Sequence, residues 1–253
     1  MCDKMKKYLI FTVASLLLMP SCLTKKEKPG ELTRTSGEVK LVTLDPGHFH
    51  AALVQKNSYK QVADEVYVYA PEGDDVQEHL NKINGYNTRT DSPTKWKEVV
   101  YLGSDFLEKM LSEKKGNVMI TAGNNGKKTE YIKQTLMAGI HVLADKPMAI
   151  NSENFGLLKE CFDIARGKGI LLYDIMTERH EITTVLQREL SCIPAVYGEQ
   201  LKGTPEEPAI VKESVHHFFK VVSGTPLKRP AWFFDVNQQG EGIVDVTTHL
   251  VDL

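Results

Sequence analysis

The sequence predicts an α/β fold: a doubly wound parallel sheet, followed by the start of an α+β second domain with a mainly antiparallel sheet. Three observations lead there. Short β-branched apolar runs alternate with helical stretches from Val39 to Tyr173, as right-handed parallel crossovers require. Most of those runs are apolar throughout, which suits strands covered by helices on both faces. Gly139, Gly167 and Gly169 fall just past helical stretches, where a residue without Cβ turns into a left-handed cap with least strain.

In order, strands are expected at Val39–Leu44, Glu65–Tyr69, Glu98–Tyr101, Asn117–Thr121, His141–Ala144 and Ile170–Tyr173. Asp74 and Asp75 open an early helix, since carboxylates complement the dipole at a helix start. The clearest helices between strands are Lys128–Ala138 and Ser152–Arg166. Six strands in residues 39–173 fit an open sheet, because a closed eight-fold barrel needs roughly 250 residues. A further helix is expected over Glu178–Leu190, strands over Ala195–Leu201 and Ile210–Val222, and a helix from Gly242 onward. Residues 39–173 thus read as a dinucleotide-binding domain. Residues 174–253 read as the beginning of a substrate domain that stops inside a helix and is incomplete.

With 42% hydrophobic and 25% charged residues, the chain is of globular rather than disordered composition. Its 31 basic and 33 acidic side chains are interspersed, so no footprint for nucleic acid is present. The first residues differ: Met5-Lys6-Lys7 leads into an apolar run, Tyr8 to Met19, too short to span a bilayer comfortably. It ends at Met19-Pro20-Ser21-Cys22, which resembles a bacterial lipobox. That resemblance implies a lipoprotein signal peptide over 1–22, acylation of Cys22 and a polar tether over 23–38. It also implies a lipid anchor in the bacterial cell envelope, at the periplasmic face or outer membrane. Plain secretory cleavage with an incidental cysteine is the alternative. Cys161 and Cys192 show no C-x-x-C spacing and are expected as two packed thiols, with no zinc knuckle.

Ligands of an open parallel sheet gather outside the carboxyl ends of its strands. The first strand runs into Asp45-Pro46-Gly47-His48-Phe49-His50, a turn into a helix whose amides suit a phosphate. Against G-x-G-x-x-G only Gly47 is kept, with Asp45 and His50 at the outer positions. After the second strand, Glu72 is either a ribose-binding carboxylate or a solvated loop residue. After the fourth, Ala122, Gly123, Asn124 and Asn125 suit either a dinucleotide or an ordinary turn.

The fifth strand carries the sharpest signal. Residues 138–149, A-G-I-H-V-L-A-D-K-P-M-A, resemble the A-G-K-H-V-L-x-E-K-P-L-A stretch of the Gfo/Idh/MocA oxidoreductases, with Asp145 in place of Glu. His50-Ala51 matches that family's H-A after the phosphate loop, and Gln239 to Asp252 resembles its G-G-G-x-L-x-D-x-G-x-H-x-x-D. The resemblance implies a Rossmann domain binding NAD or NADP and hydride transfer at a hydroxyl of a sugar or polyol. It implies cofactor contacts from Gly47, His48, Phe49, His50, Glu72, Ala122, Asn124, Asn125, Asp145, Lys146, Pro147 and Trp232. His249 would remove the hydroxyl proton, Lys146 would hydrogen-bond the reacting oxygen, and Asp245 would fix substrate or imidazole. Arg179 and Asp252 would face the substrate, and the full-length form would be a homo-oligomer. If one helix spans both, the four-residue spacing puts Asp245 and His249 on one face. Trp232 reads equally well as a core residue.

Three other readings stay open. His48-x-His50 at a strand end also resembles the metal site of amidohydrolase barrels, although His216 and His217 would point to opposite faces of a strand and further ligands are lacking. An NAD-assisted glycoside hydrolase would oxidise and re-reduce its sugar with no net redox change. A non-catalytic sugar-binding lipoprotein would suit the reduced glycine loop.

Overall fold

The computed structural model describes residues 35–176, 178–213, 217, 219–222 and 224–252. The expected signal peptide, Cys22, most of the tether and His216 lie outside these residues. Strands β1 (Leu41–Leu44), β2 (Glu65–Ala70), β3 (Lys97–Leu102), β4 (Val118–Thr121), β5 (His141–Ala144) and β6 (Leu172–Asp174) form one sheet in the order β3-β2-β1-β4-β5-β6. Every pairing is parallel. The doubly wound class is therefore as the alternating apolar runs predict, with each strand within two residues of its expected place at either end. Strand order reverses between β1 and β4, which puts the ligand crevice at that switch point.

Both faces are buried at the central strands, whereas the edge strand β3 has no buried residue. Helices α1 (His50–Leu53) and α2 (Asp74–Thr88) pack Ala51, Ala52 and Ile83 on Leu41, Val66 and Ile120. On the other face, α3 (Phe106–Glu113), α4 (Asn125–Met137) and α5 (Ser152–Lys168) bring Met110, Leu136 and Cys161 onto Val42, Leu44 and Met119. Each of the larger side chains among them, such as Ile83, Leu136 or Met119, contributes roughly 1.5–3 kcal/mol. Gly169 caps α5 at φ 67°, and Gly139 stands at φ 84° before β5, but Gly167 lies inside α5 and caps nothing. Cys192 is exposed rather than packed.

The second half departs further from expectation. Helix α6 (Ile182–Ser191) starts late, where the Glu181 carboxylate accepts the Thr183 and Thr184 amides. The strand expected at Ala195–Leu201 is instead a helical turn, α7 (Pro194–Tyr197). Pro194 supplies helical φ at its start, and Gly198, at φ 78°, ends it. Of the strand expected over 210–222, only β7 (Val221–Val222) is strand among the described residues, paired antiparallel with β8 (Thr225–Pro226). A 3-10 turn at Ala231–Phe234 and helix α8 (Val236–Gln239) follow.

The expected final helix is two pieces, α9 (Gly242–Asp245) and α10 (Thr247–Asp252). The break has a local cause. The Asp245 carbonyl accepts from the Lys146 ammonium at 2.8 Å and the Thr248 hydroxyl at 2.9 Å, and the His249 amide turns to Val246 O instead.

Candidate functional site

Leu44, Thr121 and Ala144 are register partners across β1, β4 and β5, so Asp45, Ala122 and Asp145 follow side by side at the carboxyl edge. Asp45 has φ 47°, a left-handed conformation that aspartate tolerates, at the position of the motif's first glycine. The Gly47 and His48 amides both donate to Ala122 O, at 2.9 and 2.7 Å, which ties the turn to β4. Gly123 completes the contact: a Cβ there would lie 2.1 Å from Asp45 O.

His48 and His50 converge on one carboxylate. Each Nδ1 lies 2.8 Å from a different oxygen of Asp145, and all three residues are largely buried. Burial pushes the Asp145 carboxyl up, but the two imidazoles outweigh it and hold the group well below the usual range. Burial also pushes His48 down to about 4, despite Asp145. The possible ligand atoms of the three lie within 4.8 Å of one another. With one ionised oxygen facing each Nδ1, both rings can donate an N–H to it, and the three residues form a hydrogen-bonded triad. The partner of the H-x-H pair is thus a carboxylate from the turn after β5, which the spacing of the histidines alone does not reveal.

The Asp145–Pro147 turn is held from beneath by Lys128. Its fully buried ammonium donates to Asn125 Oδ1, to Asp145 O at 3.1 Å and to Pro147 O at 3.2 Å, using all three N–H bonds. Burial pushes this lysine down to about 8. Lys128 reads in sequence as one more charged residue on a helix, so the pattern conceals its role. The Lys146–Pro147 peptide is cis.

Lys146 reaches across to the second half. Its Nζ lies 2.8 Å from both Asp245 O and Asp245 Oδ1, with both residues buried. Burial would raise the Asp245 carboxyl, but the Lys146 charge beside it keeps the group below its ordinary value. His249 does not share this pair. Its Nδ1 lies 2.8 Å from Glu178 Oε2, a partner the sequence motif does not point to. Arg179 and Asp252 bind each other, with Nε 2.9 Å from Oδ1, and Arg179 also meets Asp174 at 3.1 Å. Asn124 caps α4 and donates to Gln238 Oε1 at 2.8 Å, while Asn125 donates to Gln239 at 3.0 Å.

Three cavities line the strand ends in series. Glu72 borders one of 240 Å³ with Asp45, Pro46 and Asp75. The next, of 230 Å³, lies over Gly47, His48 and Phe49, between α2 and residues 227–232. The last, a slot of 10 Å³, holds His48, Gly123, Asn125, Lys146 and Asp245. The first two share Pro46 and Asp75, and the last two share His48 and Trp232. Trp232 donates its indole N–H to Asp75 Oδ2 at 2.8 Å and covers Gly47, where a Cβ would come within 2.9 Å of its ring. A crevice running from a carboxylate near β2 to an ammonium after β5 follows the path of an extended dinucleotide, whose nicotinamide end requires the 10 Å³ inner slot to widen. Glu72 would meet the adenosine ribose, Gly47 and Ala122 the middle, and Lys146 the nicotinamide end.

The family model described as "Oxidoreductase family, NAD-binding Rossmann fold" matches residues 47–173, half of the chain, and "Putative oxidoreductase C terminal domain" matches residues 186–253. The crystal structure of a "putative oxidoreductase" from Parabacteroides merdae is similar at 75% identity and TM-score 0.83, over 87% of this chain and 50% of that one. The chain thus spans half the length of that relative. An NAD-binding protein from Listeria innocua (17% identity, TM-score 0.51, 85% of this chain and 53% of that one) shares the fold. So does biliverdin reductase from Synechocystis in complex with biliverdin and NADP+ (14%, 0.52, 85% and 58%). No curated protein matches. The matched model over the doubly wound sheet settles the kinship: the chain belongs to the Gfo/Idh/MocA oxidoreductases, the family of the NAD-binding Rossmann fold.

Proposed function

We propose that this chain forms the cofactor domain and the beginning of the substrate domain of an NAD(P)-dependent oxidoreductase that acts on a hydroxyl of a sugar or polyol. The observation that carries the reading is the buried Lys146–Asp245 pair at the inner end of the crevice that starts at Glu72. When bound, the nicotinamide supplies the hydride acceptor or donor. Two of the three Lys146 N–H bonds go to Asp245, which fixes the ammonium and leaves one for the reacting oxygen. A fixed cation in a water-poor slot stabilises negative charge on that oxygen as its proton leaves. His249 takes the proton at Nε2, because Glu178 holds Nδ1 as the donor and so sets the tautomer. Arg179 and Asp252, locked together beside it, shape the substrate wall.

In this reading acylated Cys22 anchors the protein at the cell envelope, and full-length copies associate through the second-domain sheet. Incubation of the native full-length protein with NAD or NADP and a panel of sugars and polyols tests the activity, followed at the nicotinamide absorbance band. Steady reduction with one class of polyhydroxyl compound is expected. Native mass spectrometry and titration that find no dinucleotide bound would overturn it, and glycosidic product without net absorbance change would move it to the NAD-assisted hydrolases.

A further inference from the structure

The turn over which dinucleotide phosphates would lie keeps few amides for them. The Gly47 and His48 N–H groups are given to Ala122 O, and α1 starts only at His50 and lasts four residues. Phosphate oxygens need charge and donors from elsewhere. The 230 Å³ cleft over Gly47 holds both, on Arg229 and Lys228 of the overlying segment and on His79 and Lys82 of α2. Each carboxylate that shares the cleft has a hydrogen-bond or ionic partner, two of the three a lysine. Asp75 accepts the Trp232 N–H, Glu78 faces Lys82 at 3.2 Å, and Asp74 faces Lys228 at 3.4 Å.

Two side chains are left over. Arg229 lies over the Phe233 ring, 4.2 Å from its centroid, and its buried Nε has no hydrogen-bond partner among the described residues. His79 is 4% exposed, and neither ring nitrogen has a partner. A buried donor without an acceptor is destabilising unless a ligand brings the oxygen. The arrangement is that of a site made for an anion: a guanidinium from one half of the chain and a ring N–H from the other, both bordering one cleft.

We propose that this cleft is a phosphate-binding site in which Arg229 and His79 do with side chains what a glycine-rich turn does with amides. The pyrophosphate of a dinucleotide and the phosphoryl group of a sugar substrate present the same chemistry, and only the choice of the first rests on the proposed oxidoreductase reading.

Trp232 lines the cleft and reports on it by fluorescence. The protein's other tryptophan, Trp96, is in the core, and Trp232→Phe assigns the signal. The chain is titrated with inorganic pyrophosphate, ADP, NADH, NADPH and a sugar phosphate, alongside Arg229→Gln, Arg229→Lys and His79→Leu proteins checked for cooperative melting. Saturable pyrophosphate and ADP binding is expected, weakened roughly tenfold by Arg229→Gln, less by Arg229→Lys and severalfold by His79→Leu. The same Arg229 dependence for NADH or NADPH makes the dinucleotide the source. Binding of pyrophosphate and sugar phosphate, but of neither dinucleotide, keeps the site and sinks the oxidoreductase reading. Dinucleotide binding indifferent to all three substitutions, or no response to pyrophosphate and ADP, overturns the site itself.

Discussion

Lys146 and Asp245, 99 residues apart, meet in the interior, the ammonium 2.8 Å from both the carboxylate and the main-chain oxygen of the aspartate. Removing the carboxylate strands a buried charge, so Asp245→Ala is expected to destabilise the protein by about 3–5 kcal/mol, and Asp245→Asn by less. Urea denaturation of the two proteins measures the difference. Lys146→Met removes the charge as well, and in the proposed reaction should lower hydride transfer in a single turnover by roughly 100-fold or more.

His249 and Glu178 make a separable prediction. His249→Gln removes the proposed proton acceptor and should lower kcat by roughly 100- to 10,000-fold with dinucleotide affinity unchanged. Glu178→Gln keeps a hydrogen-bonding group beside Nδ1 and should lower it less. Rapid-mixing measurements with substrate deuterated at the reacting carbon would show whether the lost rate lies in the chemical step.

The sheet was legible because β-branched runs, glycine caps and the absence of polar interruption all act locally. The second half was not, since Pro194, Gly198 and the competition for the Asp245 carbonyl override the strand and helix patterns. The site was half legible. Lys146 stands out in the turn after a buried strand, but its pairing with Asp245, expected instead on substrate or imidazole, shows only in the fold. The exchange of partners, with Glu178 rather than Asp245 on His249, depends on the broken helix, which periodicity does not register. Lys128, His79 and Arg229 carry no motif at all, because what distinguishes them is burial, and burial is a property of the fold.

His79 gives a pH signature. Burial pushes the ring down to about 4 from the ordinary 6.5, so the native state favours the neutral form. Its contribution to stability is whole above pH 6.5 and is lost as pH falls toward 4, where the unfolded chain takes the proton more readily. Measured in phosphate-free buffer, the stability of wild type relative to His79→Leu should fall by roughly 3 kcal/mol across that window. A flat difference between the two proteins would contradict a buried neutral ring.

Gly123 tests the packing of the turn. With Asp45 O only 2.1 Å from where a Cβ would stand, Gly123→Ala must push β1 and β4 apart at their ends. A loss of about 1–3 kcal/mol is expected. Since Gly47 and His48 hang from the neighbouring Ala122, weaker binding in the crevice should accompany it, and calorimetry reads both effects.

The polar links across the crevice have a consequence for traffic through it. Lys146, Asn124, Asn125 and Asp75 each find a partner in the second half, in Asp245, Gln238, Gln239 and Trp232. Parting the two halves to let a molecule in or out asks water to replace these attachments, and the Asp74–Lys228 pair beside them, together. Entry and escape therefore demand concerted rupture, and a slow step at the door rather than in the reaction is the natural outcome of this architecture.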